Sequence, residues 1–352
     1  MTSDPRVLVF GAGAVGATVG GWLAERYESV WFLDVPPVVE ALTTQGLTLY
    51  QGGNKERGTT IRVKAVSDLA QAPRPDILIL AVKTYSLEKV STIIKDKLGG
   101  GPLPIVVALQ NGVDNQTILP PHFPRVVYGV VGYNAWIDEP GVVGYQKKGP
   151  LVLGTIHNEL SSETRDIAAL LGRGVETIVT DRLEDAAWSK MVVNLTNSLQ
   201  ALIGHPFKPL TNRALFQRLL TNLTYEGVTI VKAAGRHECR IGGMPSWWLM
   251  WAATKLPRVL TQRAFEKNVE KMVISSMAQD VLQRGGTDSE LETLNGRFIR
   301  VADEHHLAVP YNRAIYALCQ ERFGKPGFTP LSLEEVWAEV QRRTRSQLVG
   351  AA

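Results

Sequence analysis

The stretch Arg6–Glu25, RVLVFGAGAVGATVGGWLAE, decides how the first half of this chain is read. Val7 to Phe10 form a short apolar run suited to a buried strand. Gly11, Gly13 and Gly16 follow in G-x-G-x-x-G spacing, with Ala14 and Val15 before the last glycine. Gly11 permits a tight turn. Gly13 leaves out a side chain where a pyrophosphate must approach, and Gly16 lets the next helix pack close to the strand. That helix would offer free N–H groups and a partial positive charge to phosphate. Strand, glycine turn and helix in this order predict a Rossmann-like, doubly wound α/β unit that binds a dinucleotide at Gly11, Gly13, Ala14, Val15 and Gly16.

Working outward, VWFLD reads as the second strand and ends at Asp34. An acid about 20 residues beyond the glycines reaches the adenosine ribose hydroxyls, and its charge repels a 2′-phosphate. Asp34 therefore favours NADH within an NAD(P)H class of cofactor. Its plainer reading is a strand-end turn before Pro36-Pro37. DILILAVK runs to Lys83, and IVVALQ leads to Asn111-Gly112. Such nearly all-apolar runs suit parallel strands covered on both faces, with ligands beyond their carboxyl ends. Lys83 and Asn111 both stand at such ends, although a capping lysine and an Asn-Gly turn would explain them structurally. VVYGVVGYNAW, LVLGTI, a helix near residues 161–172 and the strand ETIVT complete the alternation. The pattern turns helical near Asp181. The expected domains are 1–181, dinucleotide-binding, and 182–352, all-helical and carrying substrate and catalytic groups.

The second half opens with WSKMVVNLTNS, Trp188 to Ser198. On one α-helix, Lys190, Asn194, Asn197 and Ser198 share a face. No acid lies three or four residues from Lys190. A lone lysine flanked by amides and a hydroxyl suits a polar pocket better than a solvated stripe. Helical stretches are expected around 211–235 and 262–284. Between them MPSWWLMWAATKLP carries Trp247, Trp248 and Trp251, read as core or as an oligomer contact, with a lid over substrate as the lesser reading. Ser275 and Ser276 are expected within a helix that Gly285-Gly286 ends. Thr287 and Glu290 then match a T-x-x-E capping box, a complete structural explanation for Glu290.

The 352 residues allow about two domains. Apolar content of 45% and charged content of 20% fit a globular protein with a sizeable core. A net charge of +4, evenly spread, argues against a nucleic-acid partner. Cys239 and Cys319 give neither a disulfide framework nor zinc spacing, and the six histidines show no H-x-x-x-H pair, so no metal site is expected. No apolar run approaches the ~20 residues that span a bilayer, so no membrane partner is expected. MTSDPRVLVFGAG passes straight into a strand, and a cytoplasmic protein is expected.

Six segments in order, GAGAVG, AVKTY, LQNGVDN, WSKMVVN, SSMAQD and ELETLNG, resemble the ketopantoate reductase (2-dehydropantoate 2-reductase) family over roughly residues 6–322. The resemblance implies a Rossmann-like domain, a helical domain, and hydride transfer to C2 of a small 2-oxo acid, in the context of pantothenate biosynthesis. It implies that Lys190 is the general acid. Asn111 would hold substrate and nicotinamide, Lys83 would sit beside the cofactor, Asn194 and Ser276 would bind substrate, and Glu290 would complete the site. Ser198 stands where members commonly have asparagine, and is taken as a further substrate contact. Val273 replaces another asparagine. The glutamate loop is about two residues longer, so Asp288 competes with Glu290, which keeps register with LNG. Many members use NADPH and place a basic residue where Asp34 stands. Two rival readings are a related dehydrogenase of another hydroxy acid, including opine-type imine reduction, and a non-catalytic NAD(H) sensor. A homodimer is suggested by the tryptophan segment.

Overall fold

The computed structural model describes residues 4–270, 272–283 and 289–349. The chain divides into two compact units between Ala187 and Trp188. The division falls inside the first helix of the second half rather than ahead of it at Asp181. One reason is local: Leu183, in the first turn of that helix, packs against Gly154, where an added Cβ would meet the Leu183 Cβ at 3.1 Å.

Among the described residues the first unit holds twelve strands: β1 (Val7–Phe10), β2 (Val30–Leu33), β3 (Leu47–Gln51), β4 (Thr59–Ile61), β5 (Lys64–Val66), β6 (Ile77–Leu80), β7 (Ile105–Ala108), β8 (Val126–Val131), β9 (Ala135–Glu139), β10 (Val142–Tyr145), β11 (Leu151–Gly154) and β12 (Thr177–Val179). Its helices are α1 (Ala14–Ala24), α2 (Pro36–Thr44), α3 (Leu87–Leu98), α4 (Asn115–Ile118) and α5 (Ser161–Leu171). The main sheet runs β12-β11-β8-β7-β6-β1-β2-β5. From β5 to β8 every pairing is parallel, and β11 joins β8 antiparallel. Strand order reverses at β1, with β2 on one side and β6 on the other, which is where a Rossmann-like sheet opens its ligand crevice.

A second sheet, β4-β3-β10-β9, departs from the single sheet expected. VVYGVVGYNAW reads as one run, yet the chain breaks after Val131 and β9 pairs with β10, which in turn pairs with β3. This sheet explains the glycine-rich α1, which is buried from Gly16 through Leu23. A Cβ on Gly20 would lie 2.7 Å from the Phe32 ring, and one on Gly21 would lie 2.7 Å from Leu47. The helix is thus pressed between two sheets, as a helix apolar all round requires. Trp22, 2% exposed, meets Tyr133 and Tyr145 at ring distances of 5.2 and 5.0 Å. Burying such a side chain is worth roughly 4–6 kcal/mol before entropy.

The second unit is helical: α6 (Leu183–Asn194, which crosses the division), α7 (Thr196–Ile203), α8 (Arg213–Ala233), α9 (Trp247–Lys255), α10 (Arg258–Val269), α11 (Ser276–Ala278), α12 (Arg297–Glu304), α13 (Pro310–Arg322) and α14 (Leu333–Val349). α8, about 32 Å long at 1.5 Å per residue, packs against α9, α12, α13, α14 and α7. Gly227 lets α6 approach it, because a Cβ there would lie 2.5 Å from Leu195 and 3.4 Å from Val192. On another face Glu226, 8% exposed, accepts from the Tyr311 N–H at 3.0 Å and from the Asn312 N–H and Nδ2 at 2.8 and 2.9 Å. The carboxyl of α8 therefore caps α13.

The helix expected over 262–284 is broken. α10 stops at Val269, Met272 to Ser275 are non-helical, and α11 starts at Ser276. Ser275 is the N-cap, accepting from the Ala278 N–H at 3.2 Å. Serine competes with a helical backbone in mid-helix and favours this role. Among the described residues, no helix is long and apolar enough to cross a membrane.

Candidate active site

In the first unit the candidates gather at the carboxyl ends of four strands. Gly11 follows β1 with φ of +97°, a conformation that suits glycine. A Cβ on Gly16 would overlap the Gly11 carbonyl oxygen and press on Ala81 at 2.9 Å. A Cβ on Gly13 would meet no protein atom within 4 Å. The fold itself therefore requires Gly16 but leaves the space at Gly13 open, as an approaching pyrophosphate needs. Gly13 caps α1 without a side-chain hydrogen bond, and the first turn, which includes Ala14 and Val15, carries no acid. The free N–H groups of that turn suit an anion.

Asp34, at the end of β2, serves the same loop. Its carboxylate accepts from the Ala12 N–H at 2.6 Å and from the Val35 N–H at 2.7 Å. The turn explanation and the ribose explanation for this acid are compatible, because an ionised carboxylate has lone pairs for both. Lys83 lies just beyond β6 and opens a short turn, its carbonyl accepting from Ser86 N–H at 3.0 Å. Asn111 lies beyond β7, followed by Gly112 at φ +92°. Gln110, 7% exposed, was not singled out in the sequence. Its Nε2 donates to the carbonyls of Leu80 at 2.8 Å and Val82 at 3.2 Å, stapling the two loops that carry Lys83 and Asn111. A buried glutamine between an apolar strand and Asn-Gly is the signal that would have found it.

In the second unit the polar stripe of Lys190, Asn194, Asn197 and Ser198 does not stay on one helix. α6 ends at Asn194 and α7 begins at Thr196. Thr196 and Ser198 turn their hydroxyls back to the carbonyls of Val193 and Leu195, each at 2.9 Å. Such back-bonding bends helices. Lys190 remains partly exposed and Asn194 is 7% exposed, while Ser198 is fully buried. The Ser198 hydroxyl also accepts from Asn295 Nδ2 at 3.0 Å. Engaged on both sides, it joins α7 to the segment after Glu290 and presents no surface to a substrate.

Ser276 is partly exposed at the start of α11, which packs on α7. Glu290 is 3% exposed, and its carbonyl accepts from the Leu294 N–H at 3.0 Å. Thr287, the expected cap, and Asp288, the rival carboxylate, lie outside the described residues, as does Gly285-Gly286. Two π-helical turns, Gln279–Gln283 and Glu292–Gly296, flank this region. Such turns occur frequently at functional sites. Ser189, beside Lys190, accepts from the Cys239 N–H at 3.0 Å and so ties the loop after α8 to α6. Among the described residues, no group of three or more His, Cys, Asp or Glu side chains is placed to hold a metal ion.

Residues 7–158 match the family profile described as ketopantoate reductase PanE/ApbA, and residues 182–322 match its C-terminal counterpart. The chain belongs to the ketopantoate reductase family. A 2-dehydropantoate 2-reductase from Halobacterium salinarum is 28% identical over 317 residues, spanning 88% of this chain and 96% of that protein. A crystal structure of a PanE/ApbA family ketopantoate reductase from Ralstonia eutropha matches with TM-score 0.70 and 27% identity, over 90% of this chain and 97% of the other. A D-mandelate dehydrogenase solved with NADH and anilino(oxo)acetate shares the fold, with TM-score 0.72 and 19% identity over 90% and 97% of the two chains. Ketopantoate reductases and a dehydrogenase of another acid thus share this two-unit framework.

Proposed function

We propose that this chain reduces 2-dehydropantoate to pantoate, with NADH as the preferred cofactor and Lys190 as general acid. The observation that carries the reading is the family's lysine on α6, one turn before a buried amide, in a chain whose other unit carries an uncapped glycine-turn helix. Gly11, Gly13, Ala14, Val15 and Gly16 with the α1 N–H groups hold the pyrophosphate, and Asp34 holds the ribose hydroxyls. Lys83 lies beside the cofactor. When bound, the nicotinamide supplies the hydride that C2 of the 2-oxo acid receives.

As C2 becomes tetrahedral, the carbonyl π pair moves onto oxygen. The Lys190 ammonium stabilises that charge and donates one proton to the oxygen, leaving a hydroxyl, and then regains a proton from solvent. A positioned general acid contributes ~10²–10⁴ in rate. Asn111, Asn194 and Ser276 orient the substrate carboxylate and hydroxyl, and Glu290 completes the polar wall. Ser198 and Asn295 support that wall from behind.

A panel of 2-oxo acids, each with and without an added amino acid, tests the reading. 2-Dehydropantoate should give the highest kcat/KM, with no requirement for an amine. Turnover only with an added amino acid would establish opine-type chemistry instead. Cofactor binding without turnover on any member would make the chain a sensor.

A further inference from the structure

A recess of about 740 Å³ lies within the helical unit, and none of the residues assigned to the reaction lines it. Tyr225, Lys232, Arg236, Trp247, Trp248 and Trp251 line it. Tyr225, Val228, Thr229 and Lys232 recur at helical spacing along one side of α8. Gly227, which packs on Val192 of α6 and on Leu195 just after it, is on the opposite side. The wall that α8 gives the recess is therefore the side turned away from α6.

Its walls are aromatic and only partly covered. Trp247 is 6% exposed, but Trp248 and Trp251 are 63% and 43% exposed. Of the three tryptophans, only Trp247 joins the core. Two ammonium groups rest on the aromatic walls: Lys232 lies 5.7 Å from the Trp247 ring centroid and Lys255 lies 5.1 Å from that of Tyr225. Neither lysine pairs with a carboxylate among the described residues. Glu238, the one acid in the lining, accepts from the Trp247 N–H at 3.1 Å. From Cys239 to Phe265 the chain has no Asp or Glu, yet it carries Arg240, Lys255, Arg258 and Arg263.

We propose that this recess binds a small organic anion with a flat aromatic body, an aryl carboxylate being the simplest member. The volume lies within the ~300–1,000 Å³ of small-molecule sites. Indole faces supply stacking area, and ammonium groups already held against rings supply the counter-charge. A second copy of the chain fits less well. A two-fold pairing of this surface on itself would set its cations against one another.

Calorimetric titration of the full chain, saturated with NADH, with sodium 2-naphthoate and with neutral 2-naphthamide tests this. Naphthoate should fill one saturable site, and naphthamide should bind at least about tenfold more weakly, a difference of ~1.4 kcal/mol. Lys232→Glu and Trp251→Ala should each weaken naphthoate about tenfold while still binding NADH, and Lys190→Ala should leave it unchanged. Equal affinity for the two probes, no saturable heat, or loss of binding only in Lys190→Ala would overturn the proposal. So would a dimer that Trp248→Asp converts to monomer in a chain that binds no naphthoate.

Discussion

In the first unit the candidate site is built mostly of backbone N–H groups, whereas in the second the candidates are side chains on separate segments. A glycine turn and a helix end are specified within about a dozen residues, and their geometry follows from steric rules. Lys190, Ser276 and Glu290 stand on three segments whose relation depends on helix breaks, caps and π-turns. A binding surface built of backbone is robust to side-chain change, and one built of side chains can be retuned singly. On the proposed reading, cofactor recognition and substrate choice are carried by differently constructed parts of this chain.

Lys190→Ala breaks the comparison hardest. It should lower kcat by ~10²–10⁴ while leaving the Kd for NADH within about twofold of wild type; full turnover in that variant would end the general-acid role. In the first unit, Asp34→Arg should move the NADH/NADPH preference toward NADPH by about 10–100-fold, the worth of a hydrogen bond to a charged group. The same change removes the acceptor for the Ala12 N–H, so Tm should fall as well. An unchanged cofactor ratio would limit Asp34 to the turn.

Gly13 and Gly16 sharpen the contrast inside one motif. Gly16→Ala should destabilise the chain by about 1–3 kcal/mol through overpacking against Gly11. Gly13→Ala should leave Tm nearly unchanged, because its Cβ meets nothing, and weaken NADH binding about tenfold or more. Equal Tm losses in the two variants would mean that the loop packs otherwise.

The smallest effect concerns a buried acid of the helical unit that serves the fold. Burial pushes the Glu226 carboxyl up to about 7, against the pull of the Asn312 and Tyr311 N–H donors. The folded value lies above the ordinary 4.5, so the folded chain keeps a proton that the unfolded chain has lost. That contribution to stability is complete below about pH 4.5 and fades as pH rises through 7. Tm should therefore fall by several degrees between pH 5 and pH 8, and Glu226→Gln should flatten the slope. A slope that persists in the variant would assign it to other groups.

What could be read before the fold was known follows the same division. The glycine turn, the apolar parallel strands and the place of Asp34 at a strand end were legible because each obeys a short-range rule. The second sheet was not, since LTLYQ and VVGY are short runs whose partner is far along the chain and whose role is to cover α1. The polar stripe after Lys190 reads as one helical face, yet it is divided between α6 and α7, where Thr196 and Ser198 back-bond to the carbonyls and Ser198 is buried. Ser275 and Ser276 read as mid-helix positions, although serine's preference for an N-cap was the available clue. Gln110 and Asn295 escaped notice because a buried amide that joins two loops has no fixed spacing in sequence.

Initial rates of NADH and NADPH oxidation with 2-dehydropantoate, measured side by side on the unmodified chain, test the central claim most directly. Rapid turnover, faster with NADH, is the predicted result. No turnover with either cofactor, in a protein that measurably binds NADH, would contradict it.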